Sequence, residues 1–181
     1  YASLCDINIH YDWNYDTAEE NFSKAIKFNP LYANAFHWHS EVLALRKQFD
    51  RSFGESEAAL KIEPYSLSIN TQLGANYIYA GEMQKAVEQL QKTIGYDSTN
   101  IVSHHYIGIA YAAMKQFDKA LFHLNTADKL SPDNTRILST LGYAEAMSGK
   151  KSAAQKIEKR LMALAKNKYV PPFDLAVVET G

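Results

Sequence analysis

The chain of 181 residues lacks most of the features that announce a particular chemistry. It has one cysteine, Cys5, so no internal disulfide can form and a thiolate metal centre has too few ligands. A lone thiol fits a reducing compartment, which favours the cytoplasm over the periplasm. No apolar run reaches the roughly 18 residues of a membrane-spanning helix. The opening, YASLCDINIH, lacks the basic-then-apolar order of a secretory leader. It also lacks an initiating methionine, and the chain reads as a piece of a longer protein. With a net charge of −1, no global field draws it to nucleic acid or to a membrane surface. The nucleophile elbow GxSxG, the phosphate loop GxxxxGK[ST] and the dinucleotide turn GxGxxG are all missing. Nothing here calls for a cofactor.

What remains is ordinary for a folded soluble domain, with 46% apolar and 22% charged residues. The charge is unevenly spread. Residues 1–90 hold 12 acids and 7 bases (7 − 12 = −5), and residues 91–181 hold 8 acids and 12 bases (12 − 8 = +4).

The chain repeats. Gly74, Gly108 and Gly142 are 34 residues apart, and the same step joins Ala18, Ser52, Ala86, Ala120 and Ala154. It also joins Tyr15, Phe49, Met83 and Phe117, then Ala25, Ala59, Thr93 and Ala127, and closes units at Pro30, Pro64, Ser98 and Pro132. Within a unit the apolar spacing is helical: Ile107, Tyr111 and Met114 in one segment, Phe117, Leu121 and Leu124 in the next. A short polar turn, KQ or GE, separates the two segments. Asp16, Asp50 and Asp118 fall early in second segments, where a carboxylate favours the positive helix terminus. Small residues such as Gly108 and Ala120 allow antiparallel helices to approach within about 8–10 Å. Each unit is too small to bury a core alone, so stability must come from stacking.

Leu-Gly then Tyr, followed by Ala, Phe or Leu, Ala and Pro at a 34-residue step, resembles the tetratricopeptide repeat (TPR). The resemblance implies an all-α fold, a right-handed α-α superhelix formed by one TPR solenoid over residues 1–181. Its repeats run approximately 1–32, with a shortened first helix, then 33–66, 67–100, 101–134 and 135–168, with 169–181 opening another. The unit from Thr135 departs most, because Glu145 replaces the usual Tyr and Glu158 the usual Phe or Leu. Its second helix is the one whose packing the pattern specifies least. The stretches YDWNYDTAEENFSKAIKFNP and KNKYVPPFDLAVVETG also resemble repeat arrays attached to bacterial multidomain regulators. Such arrays accompany winged-helix, cyclase or kinase domains.

Two histidine clusters, FHWHS (Phe36–Ser40) and SHHY (Ser103–Tyr106), invite a metal reading. Neither has the three- or four-residue spacing that places two ligands on one helix face. In the tetratricopeptide arrangement first helices line a concave groove, and the resemblance implies that His37 and His105 face it from equivalent positions. Two repeats separate them, roughly 20 Å at about 10 Å per helix, so they cannot share an ion. His39 is expected to face the partner helix and His104 to take part in packing. Cys5 is expected to be a small buried residue of the first unit.

The implied groove comprises Asn34, His37, Glu41, Thr71, Ile78, His105, Ile109, Arg136, Ser139 and Tyr143, with Ile7 and His10 before them and Tyr11, Trp38 and Tyr79 at its flanks. It suits an extended peptide or a helix of a protein partner, or another domain of the same chain. The Lys and Asn clamp by which one subclass holds a C-terminal carboxylate is absent from these positions. The segment Lys150 to Lys168, with seven bases and one acid, reads as a solvated outer face over Ile157, Leu161 and Leu164 rather than a phosphate contact. No stacking aromatics accompany its charges, so nucleic acid is not an expected partner. Exposed apolar solenoid ends offer a route to a homodimer. The expected function is a non-catalytic protein–protein interaction module, or alternatively a regulatory arm of a larger bacterial regulator whose DNA-binding or enzymatic domain lies elsewhere.

Overall fold

Four turns spaced by the repeat length set the local architecture. Lys47, Gly81, Lys115 and Gly149 all have left-handed backbone conformations, with φ of 60°, 82°, 59° and 83°. At each turn two backbone bonds close the end of the preceding helix. Lys47 N donates to Ala44 O and Gln48 N to Leu43 O, at 2.9 and 2.8 Å. The other three turns repeat that pairing, which satisfies carbonyls that a helix end otherwise leaves free. A second helix then starts two residues after each left-handed residue.

The computed structural model describes residues 15–179. Expectations for Cys5, Ile7, His10, Tyr11 and the shortened first helix lie outside the described residues. Those residues form ten α-helices and no strand. The chain divides between Tyr96 and Asp97 into two compact units. The first unit contains α1 (Tyr15–Phe28), α2 (Ala33–Leu45), α3 (Phe49–Ile62), α4 (Leu67–Tyr79) and α5 (Met83–Tyr96). The second contains α6 (Ile101–Ala113), α7 (Phe117–Leu130), α8 (Thr135–Met147), α9 (Lys151–Ala165) and α10 (Pro172–Glu179). The pairs α2–α3, α4–α5, α6–α7 and α8–α9 are the principal helix hairpins. None of the described helices is long and apolar enough to cross a membrane.

Glycine sets the closest crossings. A Cβ on Gly74 would collide with the Leu90 side chain, and one on Gly108 would meet Leu124 Cγ at 2.5 Å. Each leucine fills the space its glycine leaves, and both are fully buried. In the first unit Phe22, Ala18 and Val42 form one apolar cluster, and Ala33, Ala59 and Ile69 another. In the second, Leu138, Leu161 and Val170 pack with Ile157 and Leu164, beside a cluster of Leu121, Leu124, Leu141 and Ala144. A leucine buried this completely contributes on the order of 1.5–3 kcal/mol by leaving water.

Helix α9 buries only Ala154 and Leu161 completely, whereas α7 buries Ala120, Leu121, Leu124 and Ala127. Glu158 holds the place taken by Leu124 in the preceding repeat and remains half-buried. The basic stretch of α9 lies on the outside, with Lys150, Lys151, Lys156 and Lys159 exposed. Arg160 is bonded to Asp128 and Asp133 at 2.9 Å each, Lys168 donates to the Asp133 carbonyl at 2.6 Å, and Lys150 lies 4.0 Å from a Glu145 carboxylate oxygen.

Candidate functional site

The first helices of the hairpins carry the expected groove residues, and the structure divides these by depth. Thr71 and His105 are 6% exposed and Ser139 3% exposed, so the fifth residue of α4, α6 and α8 is largely covered. Its counterpart His37 on α2 is half-buried, with Nδ1 sealed from water and without a hydrogen-bond partner. Burial pushes the His37 pKa below the usual 6.5. Asn34, Glu41, Ile78, Ile109 and Tyr143 are half-buried, and Arg136 is exposed. The solvent-facing chemistry of these helices is therefore narrower than the repeat pattern alone implies. His37 and His105 belong to different units.

The covering of His105 has an identifiable cause. Its Nε2 lies 2.9 Å from Thr140 Oγ1 on the neighbouring first helix, α8. The Thr140 hydroxyl donates at 3.0 Å to the carbonyl of Arg136, which can only accept. The hydroxyl oxygen must then accept from His105, which places the proton on Nε2 and leaves Nδ1 as a lone-pair acceptor. Burial, and after it the Arg136 charge, lower the His105 pKa to about 4, so the ring is neutral at pH 7.

Within the second unit His105 and Arg136 share a cleft of about 180 Å³ with Ile101, Val102, Tyr106, Asn134 and Ile137. Val102 is 52% exposed there. Asn134 caps α8 by accepting from Ile137 N at 3.3 Å, and Asn100 caps α6 from Ser103 N at 2.8 Å. These caps fix where both helices start, and hence where Val102 and Arg136 stand relative to the cleft.

Of the other described histidines, His39 and His104 are buried and His123 is half-buried. His39 is 3% exposed, stacks on Phe22 at 5.5 Å and sets Nδ1 3.3 Å from Glu55 Oε1. His104 forms a pair that the clusters in the sequence did not reveal. Its Nδ1 lies 3.0 Å from Nδ1 of His123 on α7, and its Nε2 lies 3.1 Å from the Ser98 carbonyl. That carbonyl requires a proton on Nε2 of His104, so His123 donates across the pair. The ring centroids are 5.2 Å apart, the separation of two rings set end to end across a hydrogen bond. Their lone pairs do not converge on a common ion. Burial, and then the His104 charge, lower the His123 pKa to about 4.

The pair occupies a slot that recurs along the chain. Nineteen residues separate His104 from His123, as they do Asn70 from Gln89, whose side chains bond at 2.7 Å. Asn70 also donates to the Pro64 carbonyl at 2.9 Å, six residues earlier, just as His104 donates to Ser98. One repeat later the corresponding residues are Leu138 and Ile157, in apolar contact. Column-by-column comparison of the repeats holds the signal for this slot; reading each histidine cluster separately misses it.

With this geometry in view, solved structures provide the strongest comparisons. A crystal structure of MamA superposes with a TM-score of 0.74 at 19% identity, covering 92% of this chain and 98% of that one. TTC0263, a thermophilic TPR protein of Thermus thermophilus, gives a TM-score of 0.78 at 20% identity over 94% of this chain and 91% of that one. YrrB, a TPR protein with an unusual peptide-binding site, gives 0.68 at 13% identity, over all of this chain and 91% of that one. The fold is that of the tetratricopeptide repeat. No protein-family model matches the chain. Among curated proteins, the BBSome complex member BBS4 of Bos taurus is 24% identical over 125 residues, which is 69% of this chain. The chain spans only 24% of that protein's length.

The TPR skeleton leaves its side-chain slots free to vary, and two kinds of variation occur here. Buried columns change chemistry from amide to imidazole to aliphatic, while the first-helix surface of the second unit retains an apolar cleft with an arginine at its rim. Among the described residues no three His, Cys, Asp or Glu side chains are grouped so as to hold a metal ion.

Proposed function

We propose that the chain is a non-catalytic interaction module that docks a peptide or a helix of a protein partner on the first helices of its repeats. The partner is a separate protein or another domain of the same polypeptide, as the resemblance to regulator-attached arrays implies. One observation carries this reading. The α6–α8 surface of first helices holds a cleft that combines aliphatic side chains, exposed Val102 with Ile101 and Ile137, with the polar groups of Asn134 and Arg136. The half-buried Asn34, Glu41 and Tyr143 offer polar and aromatic contacts on equivalent faces of the other first helices.

The test is selection of peptides from a random display library on the immobilised chain, followed by mapping of backbone amide shifts. Shifts centred on α2, α4, α6 and α8, and lost with Val102→Glu, are the expected result. Shifts confined to the second helices α3, α5, α7 and α9 would overturn the docking face.

A further inference from the structure

The cleft of the second unit carries more information than its shape. Its volume, about 180 Å³, is below the roughly 300–1,000 Å³ of pockets that enclose a whole small ligand, so it suits one side chain of a longer one. Ile101, Val102 and Ile137 make its apolar part. The charge at its rim comes from Arg136, whose situation differs from that of every other arginine in the chain. Arg46 is held by Asp16 at 2.7 Å, Arg51 by Glu19 at 2.6 Å and Arg160 by Asp128 at 2.9 Å. Arg136 is exposed and has no carboxylate partner among the described residues. A guanidinium matches a carboxylate with two parallel donors, so a carboxylate is the complementary group still missing.

His105 refines that chemistry. With its proton committed to Thr140, the largely covered ring adds no second cation to the cleft.

We propose that this cleft recognises an extended protein segment in which an Asp or Glu side chain meets Arg136 and an adjacent aliphatic side chain covers Val102 and Ile137. The inference rests on the interaction-module reading and adds the chemistry of the partner. General attraction must be separated from this site, because residues 97–181 carry 11 bases against 8 acids. Lys119, exposed on α7, provides the control for charge reversal away from the cleft.

The display-selected peptides test it directly. Asp or Glu beside Leu, Ile or Val should be enriched, and converting that acid to its amide should weaken binding about tenfold. Arg136→Glu should weaken it at least as much and remove the acidic preference, whereas Lys119→Glu should stay within twofold, all variants keeping parental helicity. Because His105 is neutral above pH 6.5, where the second unit keeps its full stability, affinity should be flat between pH 6.5 and 8. Absence of acidic enrichment, full binding by Arg136→Glu, equal damage from Lys119→Glu, or affinity that climbs as pH falls from 8 to 6.5 would each overturn the proposal. Peptides that dock on the first helices without an acid sink this inference and leave the module reading standing. Failure of any peptide to dock there sinks both.

Discussion

The two units share a backbone pattern and fill it with different interiors. In the first unit a polar network crosses three helices. Asn76 is fully buried on α4, donates to Ser40 on α2 and Ser56 on α3 at 3.3 Å each, and accepts from Gln72 at 2.9 Å. Ser52 adds a 2.7 Å bond to the Ser40 carbonyl. In the second unit the column of Asn76 holds Ala110 and Ala144, and the polar interior is imidazole: His104 with His123, and His105 with Thr140. Amide and hydroxyl networks do not titrate near neutral pH, whereas imidazoles do. One repeat geometry thus supports two interiors with different responses to acid.

Acid should expose that difference, and this is the largest effect expected. His105 and His123 both have folded pKa values near 4 against about 6.5 in the unfolded chain, so the unfolded state binds more protons between those values. Their contribution to stability is complete above about pH 6.5 and is lost as the pH falls from there towards 4. For His105 the loss is about 3 kcal/mol, at roughly 1.4 kcal/mol per unit. His123, lowered to the same value chiefly by burial, adds to it in the same window. The first unit has His37, shifted in the same direction, and the buried His39 beside Glu55, while its Asn76–Ser40–Ser56 network is indifferent to pH. Both tryptophans, Trp13 and Trp38, fall within residues 1–96, so their emission reports the first unit alone. Between pH 6.5 and 4.5 helical circular dichroism should fall while tryptophan emission holds. Emission that changes first, or in step with helicity, breaks the comparison.

A transplant sharpens it. His104→Asn with His123→Gln places the Asn70–Gln89 pair in the second unit, in a slot where both pairs have the same 19-residue separation and the same carbonyl six residues earlier. At pH 7.5 the double variant should lie within about 1.5 kcal/mol of the parent in urea unfolding, and its acid transition should move to lower pH. His123→Ala alone leaves His104 Nδ1 without a donor in a buried site and should cost about 1–3 kcal/mol. A double variant as unstable as the single one would show that the slot is not interchangeable.

These slots mark the boundary of what the sequence could convey. Helix starts at Ala33, Leu67, Ile101 and Thr135 were legible because small residues and breakers recur in one register. The collision of a Gly74 or Gly108 Cβ with the facing leucine explains why that register tolerates no drift. Partner choice inside the core was less legible. His123 stands 19 residues from His104 on another helix, and it looks unremarkable unless Gln89 and Ile157 are set beside it. Depth was also hidden: the fifth residue of a first helix has one periodicity whether it faces solvent or is covered by its neighbour, as His105 is by Thr140. The uncompensated charge of Arg136 became visible only when the carboxylates around the other three arginines could be counted.

The smallest expected effect concerns helix starts, where the units also differ. Asn100 and Asn134 cap α6 and α8 with their side chains, whereas Tyr32 and Ser66 at the corresponding positions of the first unit give α2 and α4 no side-chain cap. The Ser66 backbone, with φ −62° and ψ 115°, nearly matches that of Asn134 at −73° and 110°. Its hydroxyl is turned to Ser68 Oγ at 3.2 Å instead of to the helix. Asn134→Ala should therefore destabilise the second unit by about 1 kcal/mol, since a buried-side N–H loses its acceptor. Ser66→Asn should stabilise the first unit by a few tenths of a kcal/mol, because the backbone needs no rearrangement to accept the new cap. Amide hydrogen exchange read helix by helix is the measure. Protection at the start of α4 should rise with Ser66→Asn while that of α8 stays fixed. Unchanged protection at α4 would mean that the Ser66–Ser68 contact already satisfies what a cap supplies, and that the units differ in their interiors but not in their helix starts.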